Sequence, residues 1–84
     1  ALPIKGDEIQ ISSQIYNNSQ DDMVIKSLQY TMEGASEPFK TVDPATIGKN
    51  GTVAARQSFN VTFPYVTEKA GGFNINVELN AEIG

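Results

Sequence analysis

Of the side chains that usually carry reaction chemistry, this chain keeps carboxylates, hydroxyls, lysines and tyrosines, because its 84 residues include neither histidine nor cysteine. The commonest general base, the commonest metal ligand and the thiol nucleophile are therefore missing together. Eight of the ten acids fall as Asp7-Glu8, Asp21-Asp22, Glu33 with Glu37, and Glu78 with Glu82. Neighbouring acids between regular segments read as solvated turn formers. Asp21 and Asp22 could join the Asn17 or Asn18 carbonyls around calcium, which takes about six to eight oxygens, but no spaced Asp/Asn array with a closing glutamate accompanies them. The pattern predicts no catalytic residue, no metal and no cofactor.

Glycines offer no alternative chemistry. Gly48 with Gly51, and the Gly71-Gly72 pair, lack the following helix, lysine and hydroxyl that make a phosphate-cradling loop, so they read as turns. The Asn-x-Ser/Thr triplets at 17, 50 and 60 satisfy the glycosylation rule, but they arise easily in a chain rich in Asn, Ser and Thr. Binding chemistry remains. Tyrosine can stack on sugars or anchor a protein interface. Tyr16 falls on the polar parity of its segment beside the loop "NNSQDD", which makes Tyr16, Asn17, Asn18, Asp21 and Asp22 a candidate binding group. Tyr30 and Tyr65 follow apolar parities and read as core or rim.

The charge balance narrows the partners. Ten acidic against six basic residues give a net charge of −4, with no cluster of Lys or Arg to track phosphates or anionic lipid. No apolar run approaches the roughly 20 residues that cross a bilayer, and no basic start with an apolar run marks a signal peptide. The expected partner is a protein or a glycan, without nucleic acid and without membrane insertion.

A chain of this length buries only about 60–65% of its unfolded surface, so one domain over 1–84 is the sensible count, with 1–7 an extended lead-in. Without cysteine, apolar packing alone must hold it. "DEIQISSQIY" alternates Ile9, Ile11 and Ile15 with polar residues and predicts a strand, followed by the 17–22 loop. "MVIKSLQYTMEG" sets Met23 and Ile25 on odd positions but Val24, Leu28, Tyr30 and Met32 on even ones. Helical spacing of Val24, Ile25, Leu28 and Met32 competes here, yet the β-favouring residues point to a strand with a bulge near Lys26 and Ser27.

"FKTV" reads as a short strand or connector, and "DPATIGKNG" as a loop anchored by Ile47. "KNGTVAARQSFNVTFPY" sustains a two-residue rhythm and predicts one long strand ending at Pro64. Lys26 and Arg56 then fall on water-facing strand positions. "FNINVELNAEI" alternates most cleanly, with Phe73, Ile75, Val77 and Leu79 as candidates for pairing with another strand. Strands with one apolar and one polar face bury the former by closing on one another. The expected fold is all-β, a small antiparallel two-sheet sandwich of five to seven strands.

"IQISSQIYNNSQDDMVIKSLQYTMEG" and "ARQSFNVTFPYVTEKAGGFNINVELNAEIG" together resemble immunoglobulin-like sandwich modules. A strand ending in an Asn-Asn/Ser corner leads to an "I-x-S-L-x-Y" type strand, and a late "G-x-F/Y-x-I-x-V-x-L" strand follows. The pattern is similar to bacterial cell-adhesion-related repeats, late-embryogenesis-abundant β-sandwich domains, and domains preceding thioredoxin-like modules in secreted bacterial lipoproteins. The absent tryptophan and cysteine pair excludes antibody-type domains. The resemblance implies a non-enzymatic interaction or spacer module, secreted, periplasmic or on the cell surface. A carbohydrate-binding module using Tyr16, and a structural subunit that self-associates through an edge strand, are the alternatives.

Overall fold

The structure, a computed structural model, describes residues 4–84; the first three residues of the lead-in lie outside the described residues. The fold is all-β and antiparallel. Six strands run as β1 (Glu8–Tyr16), β2 (Met23–Met32), β3 (Lys40–Val42), β4 (Thr52–Val53), β5 (Ser58–Val66) and β6 (Ile75–Ile83). β1 pairs β5 over the full length of both, forming one sheet. In the second sheet β2 carries β6 along one side and the short β3 and β4 along the other. The described part of the lead-in turns at Lys5–Gly6 instead of extending, and Gly6 and Thr67 close it against the end of β5.

The double parity of the second strand is resolved by a bulge at Lys26, where the register against β6 shifts between Ile25 and Ser27. Met23 and Ile25 before it, and Leu28 and Tyr30 after it, thereby reach the same buried face. They pack with Ile15, Ile47, Val53, Val61 and Phe63 into the core. Ile47 is buried at the end of the 3₁₀ turn Pro44–Thr46, so the long loop is pinned by one apolar side chain. Tyr30 meets Phe63 edge-on with ring centroids 4.8 Å apart, and Phe39, Tyr65 and Phe73 extend this aromatic row toward one end of the sandwich.

The long rhythm of residues 49–65 is not one strand. Asn50 (φ 52°) and Gly51 (φ 88°) form a two-residue turn joining Lys49 to Thr52, which leads into β4. The chain then breaks at Ala54–Gln57, with Arg56 left-handed (φ 63°), before β5 begins. Arg56 is thus a turn residue, not a strand position. Pro64 does not end β5, which continues to Val66. The Asn17 amide bonds the Gln57 carbonyl and the Thr67 amide bonds the Asp7 carbonyl, so odd residues of β5 face β1. Pro64 lies on the opposite phase, where its missing N–H points to the open edge and costs no ladder bond.

The largest departure is β6. Its alternation predicts a buried apolar face, yet Val77, Leu79 and Ile83 are 49%, 39% and 57% exposed. They lie beside the core residues of β2, with Leu79 opposite Leu28 and Val77 opposite Tyr30. The opposing sheet is only two strands wide, and it stands over β2 and the β3 side: Asn60 to Phe63 of β5 share a cleft with Lys40 and Val42. β6 projects beyond that cover. The chain accordingly exposes 5601 Å², against roughly 4,900 Å² for a compact monomer of this mass. Its radius of gyration is 14.5 Å, where about 12 Å is usual for this length.

Candidate interaction surface

The loop group proposed from sequence is brought together, but largely for internal purposes. Asn17 is 1% exposed, and its amide donates to the Asp21 carbonyl (2.8 Å) and the Val53 carbonyl (2.9 Å). Its Oδ1 accepts from the Ser19 amide, and the Ser19 hydroxyl lies between this oxygen and the Asp21 carbonyl with one proton to give to either. Asn17 is a latch that closes the corner onto β4. Asn18 Oδ1 accepts from the Arg56 guanidinium at 2.9 Å, and Asp22 accepts from the Ala55 amide at 3.3 Å. Asp21 contributes its carbonyl to the Asn17 amide. Tyr16 is 55% exposed at the end of β1 opposite Ser58. Among the described residues no group of three or more acids could hold a metal, and no helix is long and apolar enough to cross a membrane.

The strand-pairing group is placed differently. Ile75, Val77 and Leu79 lie on one face of β6, and Ala81 and Ile83 continue it. Phe73 precedes the strand and packs against Tyr65, with centroids 6.1 Å apart. The four residues named from the sequence are part of a parity that runs on through Ala81 and Ile83.

The edge of β6 can be phased from its ends. The Asn74 carbonyl accepts from the Glu33 amide at 3.0 Å, and the Gly84 amide donates to the Asp22 carbonyl at 3.4 Å. Even-numbered residues thus direct their backbone groups to β2. By strict alternation, Ile75, Val77, Leu79, Ala81 and Ile83 present N–H and C=O at the open edge. The outer face carries Asn76, Glu78, Asn80 and Glu82; Asn80 donates to Ser27 Oγ at 2.8 Å, and Glu82 stands 3.8 Å from the Lys26 ammonium. No proline, no bulged residue and no inward charge lies within β6 itself. An open edge with an adjoining apolar face can add another strand, with backbone bonds for affinity and alternate side chains for selectivity.

A concavity of about 290 Å³ lies between β3 and β5. It was not anticipated from the sequence. Lys40 lies over the Phe63 ring there at 5.3 Å, and Val42, Ile47 and Phe59 line its floor. No protein-family model, curated protein or solved structure matches the chain.

Proposed function

We propose that this domain is a non-enzymatic interaction module that engages a protein partner by strand addition at the open edge and uncovered apolar face of β6. The observation that carries it is the exposure of Val77, Leu79 and Ile83 beside fully buried partners on β2. Isolated exposed apolar residues are ordinary, whereas a contiguous row on a bare edge marks an interaction surface. The missing histidine and cysteine and the dispersed acids support a role without catalysis.

The strand pairings support the immunoglobulin-like resemblance as part of this proposal. In that arrangement strand B pairs E in one sheet and C pairs F in the other, with G beside F. β1–β5 and β2–β6 correspond to B–E and C–F, and the open edge of β6 then occupies the side where G would stand. The resemblance to accessory modules supports a place in an exported bacterial envelope or surface protein.

Selection of ten-residue peptides from a displayed random library on the domain tests the proposal. Enriched peptides should alternate apolar and polar residues, lose binding to Leu79→Lys, and keep it to Tyr16→Ala. Enrichment of peptides that depend on Tyr16, or of none, would refute the proposal.

A further inference from the structure

We infer that the strand added to β6 is the β6 of a second copy, paired antiparallel about a two-fold axis through Leu79; this rests on β6 being the interaction surface proposed above. An antiparallel ladder at the open edge must place residues that point outward opposite one another, so odd positions of one copy face odd positions of the other. Apolar side chains then meet apolar ones on one face of a continuous sheet. Three such registers overlap most of the strand, and charge separates them.

With Leu79 opposite Leu79, Val77 meets Ala81 and Ile75 meets Ile83, so the nine-residue strand overlaps over its whole length. On the outer face Glu78 then meets Asn80, and Glu82 meets Asn76. These are the wide positions of the new ladder, where opposed Cα atoms approach to about 4.5 Å and side chains interact most. Each carboxylate gains an amide donor. Asn80 retains one N–H for this after bonding Ser27. Sliding by one hydrogen-bonded step in either direction brings Glu78 opposite Glu82, or Glu78 opposite Glu78, and also shortens the overlap. Like charges directly opposed are destabilising, so the sequence of β6 favours its own two-fold register over both neighbours.

By contrast the β5 edge carries Pro64 and cannot offer an uninterrupted ladder.

Single cysteines in this cysteine-free chain read the register directly. Leu79→Cys places two thiols at opposed positions with Cα atoms about 5.5 Å apart, within disulfide reach, whereas Ala81→Cys places its copies four residues out of register, about 13 Å apart. The inference expects sedimentation of the wild-type protein to show a monomer–dimer equilibrium below 1 mM. It also expects rapid disulfide dimers from L79C, none from A81C alone, and mixed dimers when V77C and A81C are combined. Leu79→Lys, which sets two ammonium groups face to face at the axis, should weaken dimerisation at least tenfold without changing the circular dichroism. A wild-type monomer up to 1 mM, or A81C linking to itself faster than L79C, would overturn it. A monomer that still selects alternating peptides through Leu79 would leave the strand-addition surface standing and remove only the second copy as its occupant.

Discussion

β2 and β6 are hydrogen-bonded neighbours in one sheet and turn their apolar side chains to the same face, yet one is the centre of the core and the other is mostly in water. Leu28 and Leu79 stand directly opposite each other, 1% and 39% exposed. The pair teaches that alternation specifies which face of a strand is apolar and leaves open what will cover it. Coverage is decided by the width of the opposing sheet. Here β1 and β5 reach across β2 to the β3 side, and β6 is left with an apolar flank and a free backbone edge.

Truncating the two leucines should produce the widest separation. Leu28→Ala should cost about 2–5 kcal/mol, a cavity cost that threatens a domain this small, while Leu79→Ala should cost about 1 kcal/mol or less in the dilute monomer. Urea unfolding of the two variants measures the contrast, and equal losses would mean that β6 is covered in solution.

Proline scanning of β6 sharpens the same comparison at the level of the backbone. Asn80→Pro removes an N–H aimed at β2 and should destabilise by about 2 kcal/mol or more, an unmade ladder bond plus its unpaired carbonyl. Val77→Pro removes an N–H aimed at the open edge and should cost clearly less, as Pro64 already shows on β5. Thermal melts of the two proteins distinguish them.

The hydroxyl of Tyr30 provides a smaller effect on the buried side. It has no hydrogen-bond partner among the described residues, although Tyr30 is fully buried. Tyr30→Phe should therefore be neutral or raise stability by about 1 kcal/mol, since it removes a desolvated polar group and keeps the ring against Phe63. A loss of stability in the melt would show that the hydroxyl is satisfied by water. The smallest effect concerns charge. Two copies of net charge −4 repel, so raising salt from 0.05 to 0.5 M should tighten association of the domain a few-fold, read by sedimentation.

Much of the fold could be read from local rules, and the failures share a cause. The bulge at Lys26 was legible because two apolar parities in one strand have few other solutions, and Ile47 because one apolar residue in a polar loop needs a place to go. The break at Ala54–Gln57 was hidden, since these residues keep the rhythm of the strands on either side and carry no glycine or proline. Pro64 misled because its effect depends on which edge its nitrogen faces, a property of pairing and not of the chain alone. Asn17 read as part of a binding group because its type favours exposed corners; only the approach of Val53 from another segment makes it a buried latch. The exposure of β6 could not be seen at all, because nothing within Ile75–Ile83 records how far a different sheet extends.

Amide hydrogen exchange along β6, followed by NMR in the dilute monomer, tests the central claim most directly. The account predicts slow exchange for Asn76, Glu78, Asn80 and Glu82, whose amides face β2, and fast exchange for Ile75, Val77, Leu79, Ala81 and Ile83 at the bare edge. Uniform protection of both sets at concentrations where the protein is monomeric would contradict it.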